Sequence, residues 1–254
     1  MDDERALPGQ EHDVKQEEAR PAAAPRRALV VRGGWDGHAP VEATELFIPH
    51  LEASGFTVER ADSPRPYADA ALMASIDLIV QCVTMSTITE DEFRGLEAAV
   101  RGGAGLAGWH GGIADSYRAT SDYLHLVGGQ FATHPAKADP TPGETGASRN
   151  YVRHTIEMLP SAAEHPITTG IGDFQLETEQ YWVLADDYND VLATTTHPAG
   201  PGTPWTRPVT CPAIWTRSWG RGRVFVATPG HDLQTLSHPS VRTIIERGLL
   251  WAAR

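Results

Sequence analysis

Three histidines of this chain stand in loops that directly follow short apolar segments. They are His38, His110 and His231, and Glu179 lies in an alternating polar and apolar stretch further along the chain. Histidine is a general base, a proton donor or a metal ligand far more often than a nucleophile. Three imidazoles and one carboxylate also form a donor set suited to Zn²⁺ or a similar divalent ion. We therefore predict either a metal site or a metal-free acid–base pair in which Glu179 orients one histidine.

The turn Trp109-His110-Gly111-Gly112 is the sharpest of these signals. A tight strand-to-helix turn between small residues is how many α/β enzymes present a nucleophile. The apex residue here is His110, which favours acid–base or ligand chemistry, although a histidine that only hydrogen-bonds the turn remains an alternative. The other glycine-rich turn, residues 33–38, has neither the G-x-G-x-x-G spacing nor a following Gly-Lys-Ser/Thr, so we predict no nucleotide cofactor.

The elements that must position these residues alternate between strands and helices in the first half of the chain. This order predicts a parallel sheet with helices on both faces, and ligands in such sheets bind beyond the carboxyl ends of the strands. The loops 33–38, 81–86 and 110–116 should therefore converge at one edge. The predicted strands are 28–31, 56–59, 76–82 and 106–109, and the predicted helices are 41–53 and a second one that Thr89 and Glu92 open with a capping signal.

The second half predicts further strands, several of them antiparallel, and a final helix over 240–253. The strands are expected at 151–157, 181–184, 191–194, 213–216 and 224–227, and a loop rich in proline, glycine and threonine at 137–149. Glu177 and Glu179 share one strand face by alternation. Solvation is the preferred interpretation for Glu177.

Composition limits the class of protein. The chain has 254 residues, 41% of them hydrophobic, and a formal net charge of -12. An acidic surface disfavours nucleic-acid and anionic-membrane partners. The only cysteines, Cys82 and Cys211, give no disulfide framework, so a reducing cytoplasmic setting is expected. Residues 1–26 are charged and lack hydrophobic periodicity, which predicts an acidic flexible tail before a single domain over 27–254.

Taken together, the segments of residues 27–254 resemble the trehalose-utilisation (ThuA-like) family of the class I glutamine-amidotransferase-like superfamily. The resemblance implies a flavodoxin-like three-layer α/β fold with a mostly parallel central sheet and additional antiparallel strands in the C-terminal half. It rests on Leu29-Val30-Val31-Arg32-Gly33-Gly34 with His38, the run Gly102 to His110, Val127-Gly128-Gly129-Gln130-Phe131 with His134-Pro135, His165-Pro166-Ile167-Thr168, Glu179-Gln180-Tyr181, Ile214 to Phe225, Gly230-His231-Asp232 and Leu250-Trp251-Ala252-Ala253.

The resemblance also implies a function in disaccharide catabolism. True amidotransferases place a catalytic cysteine where this chain has His110, so glutamine hydrolysis is not expected. The family is linked to keto-glycosides made by a partner sugar dehydrogenase. We therefore expect a hydrolase, lyase or isomerase type of reaction on a small sugar, with His110, His231 and Glu179 catalytic and His38, His110 and His231 as ligands of a divalent metal, Zn²⁺ first.

Substrate contacts are expected from the residues around these loops. Aromatic rings can stack on a sugar ring, and glycines let the backbone approach it. The predicted set is Gly34, Trp35, Trp109, Gly111, His134 and Tyr181, with Trp215 as a further stacking candidate.

Two other classes of function stay open at this point. A non-catalytic sugar-binding or regulatory module would bind sugar without turnover. A true amidotransferase would have to use Cys82 or Cys211, and neither stands at the expected turn. The sequence leaves open whether copies of the chain assemble.

Overall fold

The computed structural model describes residues 25–135 and 150–254. Five parallel strands form one half of a nine-stranded sheet, in the order β2-β1-β3-β4-β11. The first four follow the 2-1-3-4 order of flavodoxin-like sheets. Their bounds are β1 Arg26–Gly34, β2 Phe56–Ala61, β3 Leu78–Thr84, β4 Gly105–Trp109 and β11 Gly222–Ala227.

Four antiparallel strands continue the sheet in the order β10-β9-β6-β7. A separate two-stranded sheet pairs β5 with β8. The bounds are β5 Gly129–Thr133, β6 Tyr151–Met158, β7 Phe174–Glu179, β8 Trp182–Ala185, β9 Asp190–His197 and β10 Val209–Trp219. The mixed α/β fold with a parallel half and added antiparallel strands is confirmed.

The helices agree with the sequence pattern except at one position. The helix predicted over 41–53 is divided at Leu46 and Phe47, because Pro49 has no backbone N–H to donate and its ring disfavours helix in the residues before it. The helices are α1 Pro40–Glu45, α2 Ile48–Ala53, α3 Ala70–Ala74, α4 Glu90–Gly102, α5 Gly111–Ala114, α6 Ser121–Val127, α7 Leu233–Leu236 and α8 Pro239–Ala252. The capping box of Thr89 and Glu92 opens α4 as predicted.

The core lies on both faces of the sheet because successive strand residues point to opposite sides. In β1, Val30 packs into the cluster with α2 and α8, whereas Val31 packs into the cluster with α4. Each fully buried aliphatic side chain contributes about 1.5–3 kcal/mol. Two apolar layers thus fix the sheet, and its strand ends become rigid supports for loops.

The N-terminal tail predicted over 1–26 lies almost wholly outside the described residues, as does the loop 137–149. In the part of the chain that the structure describes, no helix is long and apolar enough to cross a membrane.

Candidate functional site

The loops after β1 and β3 meet at the carboxyl edge of the sheet. Trp35 N donates a hydrogen bond to Thr84 O at 3.0 Å, and His38 Nδ1 and Thr84 Oγ1 are hydrogen-bonded at 3.0 Å. Gly34 has φ 81°, and a Cβ there would lie 1.9 Å from Thr84 O. Glycine is therefore required at this position to let the two loops approach, and the approach directs His38 towards the end of β4.

His110 sits at the apex of the turn between β4 and α5, with φ 49° and ψ -141°. This backbone conformation is strained for a residue with a Cβ. Two bonds to the neighbouring β11 end hold it: His110 N donates to Ala227 O at 2.7 Å, and His110 Nδ1 donates to Thr228 O at 2.7 Å. The imidazole is fully buried and its Nε2 faces away from β11, towards the antiparallel half.

Glu179, the last residue of β7, brings a carboxylate to this imidazole from the antiparallel end of the sheet. Its Oε2 lies 3.2 Å from His110 Nε2 and 3.1 Å from His231 Nδ1. His231 follows β11, and the ring of His38 lies 5.1 Å from its ring. The three histidines and Glu179 thus form one buried cluster, which we call the His–Glu cluster.

Burial governs the charge state of the His–Glu cluster. Burial and the neighbouring histidines lower the pKa of His38 to about 3, and burial also lowers the pKa of His110 against the opposing effect of Glu179. Burial alone would raise the pKa of Glu179, but His110 and His231 outweigh it and hold that pKa well below its usual range. Near neutral pH, His38 and His110 are therefore neutral and Glu179 is ionised.

The contact between His110 and Glu179 then brings two acceptors together. Thr228 O can only accept, so Nδ1 of His110 carries the single N–H of the neutral ring and Nε2 presents a lone pair. That lone pair faces a carboxylate oxygen. His231 Nδ1, close to the same oxygen, is buried and has no hydrogen-bond partner among the described residues. A cation between these atoms would convert the repulsion into coordination.

The spacing of the donor atoms fits a metal of zinc size. Tetrahedral Zn²⁺ with bonds of about 2.0–2.1 Å separates two ligand atoms by about 3.3 Å. The two measured contacts of Glu179 Oε2, 3.2 and 3.1 Å, are close to that separation. One ligand atom from each of the four residues lies within 4.8 Å of all the others, so the widest pair exceeds a closed tetrahedron.

Several residues predicted to bind substrate surround the His–Glu cluster. The Trp35 ring is 47% exposed and lies 4.7 Å from the His38 ring. His134 Nε2 lies 3.5 Å from Glu179 Oε1. Tyr181 is buried and stacks on His110 at 4.0 Å, so it supports the imidazole from behind. A Cβ on Gly111 would lie 2.6 Å from His38 Cε1, so this glycine leaves the space that His38 occupies.

Two tryptophans predicted to stack on a sugar lie elsewhere. Trp109 is 2% exposed and packs on Phe47, because the last side chain of β4 points into the core between sheet and helices. Trp215 is buried on the opposite face, and its Nε1 donates to Val127 O. Both rings are core residues, which corrects the prediction for them.

The structure adds residues that the sequence did not single out. Thr84 and the Thr228 carbonyl orient His38 and His110, and Asn150 Nδ2 lies 3.5 Å from Glu179 Oε1. Tyr151 donates a hydrogen bond to Asp232, which ties β6 to the residue after His231. Position at a strand end was the available signal for Thr84, whereas a carbonyl that accepts a hydrogen bond leaves none.

Neither cysteine is placed as a nucleophile. Cys82 is buried beneath Gly112, and burial raises the pKa of its thiol to about 12. Cys211 is also buried, and burial raises its pKa. A thiolate nucleophile therefore has no support at the apex of the turn.

Comparison with known proteins agrees with this fold. The family model described as ThuA, trehalose utilisation, matches residues 27–252. The chain is similar to a putative ThuA-like protein from Bacteroides uniformis, with TM-score 0.65, 17% identity and coverage of 93% of this chain and 95% of that chain. A putative ThuA-like protein from Parabacteroides merdae gives TM-score 0.67, 16% identity and 90% coverage of both chains.

A β-galactosidase from Bacillus circulans sp. alkalophilus is similar at TM-score 0.54 and 12% identity, covering 89% of this chain but 30% of that one. At such identities these structures show the fold alone. No curated protein matches the chain.

Proposed function

The chain belongs to the ThuA, or trehalose-utilisation, family, and from this premise we propose that it processes a keto-disaccharide or related glycoside at the His–Glu cluster with a divalent metal, Zn²⁺ first. One observation carries the proposal: a buried, ionised Glu179 faces an imidazole nitrogen that has no proton to donate to it. No arginine or lysine forms an ion pair with Glu179 among the described residues. An uncompensated buried charge is costly, and a bound cation would offset it.

The chain's own residues would divide the work between holding and orienting. His38, His110, His231 and Glu179 would hold the metal, which when bound polarises a sugar carbonyl or activates water. Hydrogen bonds to Thr84 and to Thr228 O fix the rings of His38 and His110, as partners of ligating histidines generally do. The burial of the cluster excludes bulk water and strengthens every electrostatic contact inside it.

Substrate binding would use the more exposed neighbours of the cluster. Trp35 presents an exposed aromatic face beside His38, which suits stacking on the apolar side of a sugar ring. His134, whose side chain is 26% exposed, stands on the other side at Glu179 and would accept or donate a hydrogen bond to a sugar hydroxyl.

The setting follows from the same proposal. A keto-disaccharide arises by oxidation of a disaccharide, so a sugar dehydrogenase would supply the substrate. A cytoplasmic location is supported by the two free thiols, Cys82 and Cys211, since a reducing compartment preserves them.

Metal analysis of protein prepared without chelator, together with turnover of trehalose and 3-keto-trehalose, tests the proposal. We expect about one equivalent of metal and product from the keto sugar, with both lost in His110→Ala and Glu179→Gln. Absence of metal together with unchanged turnover in His110→Ala would overturn it. Sugar binding without product from either sugar would replace it with a non-catalytic sugar-binding module.

A further inference from the structure

A cavity of about 350 Å³ lies beside the His–Glu cluster but is separate from it. Glu179 and Tyr181 contact His110, whereas Gln180 between them lines the cavity. Alternation of side chains along the segment 179–181 therefore puts the cavity on the side away from His110. A volume of this size is at the small end of ligand pockets, which corresponds to a single ring rather than an extended molecule.

The walls of the cavity are rigid and largely apolar. Pro198, Pro201 and Pro204 line it together with Val152 and Trp205. Each proline fixes its own φ. Trp205 Nε1 donates a hydrogen bond to Pro198 O at 3.0 Å, which holds the indole across the turn. Such a wall presents an aromatic face and suits a ring with an apolar side.

One buried polar atom in this wall has no protein partner. His197 is fully buried, and its Nε2 donates to Tyr181 O at 3.2 Å. The neutral ring therefore has a lone pair on Nδ1, and that atom has no hydrogen-bond partner among the described residues. A buried acceptor of this kind calls for a ligand that donates a hydrogen bond, such as a hydroxyl.

We propose that the cavity is an accessory binding site for a neutral polyhydroxylated ring of hexose size. A sugar ring combines the two required features: an apolar face for Trp205 and hydroxyl donors for His197 Nδ1. Gln180 fits the same ligand class, because its amide nitrogen is already held by Thr195 and Thr196 and keeps the wall in place. The site requires no metal.

Ligand-observed saturation-transfer NMR on the full-length, metal-free protein tests the site, with D-glucose and trehalose as probes. We expect saturable binding that Trp205→Ala and His197→Phe each weaken by about tenfold or more. Tyr188→Ala, which removes an exposed aromatic ring elsewhere, is the matched control and should bind as the wild type does. His110→Ala should also bind normally, which separates this site from the His–Glu cluster.

Two results would overturn the proposal. One is absence of saturable binding of either sugar at concentrations of about tens of millimolar, the range of weak sugar sites. The other is wild-type binding in Trp205→Ala, a half-buried position whose substitution is compatible with folding and can be checked by circular dichroism. Loss of binding in His110→Ala with retention in Trp205→Ala would place the sugar at the His–Glu cluster instead.

Discussion

Gly111→Ala should weaken metal binding without unfolding the protein. Gly111 begins α5 and is not among the residues with positive φ, so alanine suits its backbone. The added Cβ would lie 2.6 Å from His38 Cε1 and 3.0 Å from Thr84 Cγ2. The His38 ring would have to move by about 0.8 Å to reach ordinary contact at 3.4 Å. Metal sites tolerate ligand displacements of about 0.2 Å, so this shift takes His38 out of position.

The size of the effect follows from what a misplaced ligand costs. Disturbing the groups that orient a metal ligand typically weakens metal binding by about 10- to 100-fold, which corresponds to about 1.4–2.8 kcal/mol. Competition titration with a Zn²⁺ indicator measures the dissociation constant directly. Urea unfolding of the metal-free protein should show little change, because alanine favours helix by up to about 1 kcal/mol and offsets part of the crowding.

Two variants make the result interpretable. Gly102→Ala places a Cβ where nothing lies within 4 Å and should bind Zn²⁺ as the wild type does. His38→Ala should lose at least as much affinity as Gly111→Ala. Wild-type affinity in Gly111→Ala combined with weak binding in His38→Ala would refute the reasoning, because His38 would then bind equally well from a displaced position.

Three further predictions concern the same region. Zn²⁺ at about a hundredfold excess over its dissociation constant should stabilise the wild type by about 2.7 kcal/mol, seen as a Tm rise that chelator reverses; an equal rise in Glu179→Gln would contradict the assignment of that ligand. Thr84→Val removes the hydrogen-bond partner of His38 and should weaken Zn²⁺ binding about tenfold while lowering the free energy of unfolding by about 1 kcal/mol; titration and urea unfolding check both, and unchanged affinity would show that Thr84 does not orient the ring. Burial raises the pKa of Cys82 to about 12, so its thiolate is scarce at pH 8 and iodoacetamide should label it only in denaturant, as mass spectrometry would show; rapid labelling of the native protein would be inconsistent with this.

The parallel half and its convergent loops were predictable from the sequence for a physical reason. Apolar runs such as 28–31 and 106–109 must be buried on both faces, and parallel strands end at one edge. His38 and His110 therefore had to approach each other once the strand order was set. The capping box at Thr89 was equally local, since both of its partners lie within one turn.

The contribution of the antiparallel half depended on pairing that no local pattern specifies. Glu177 and Glu179 are equivalent by alternation, but Glu177 is exposed against Arg153 whereas Glu179, paired with Tyr151 at the strand end, is buried. Which face of β4 receives Trp109 is likewise decided by the neighbouring helices. Long-range register and layer packing thus determined what sequence periodicity left open.

The His–Glu cluster takes its neutral ligands from the ends of β1 and β4 and from the loop after β11, but its only carboxylate from β7. A chain that has formed the parallel half alone would hold imidazoles without the anion, and His231 joins them from near the C-terminal end. Cation capture would therefore act as a late checkpoint, reporting that two distant stretches of the polypeptide have assembled in register. A permuted or split version of the chain could be screened for correct assembly simply by its ability to retain the ion.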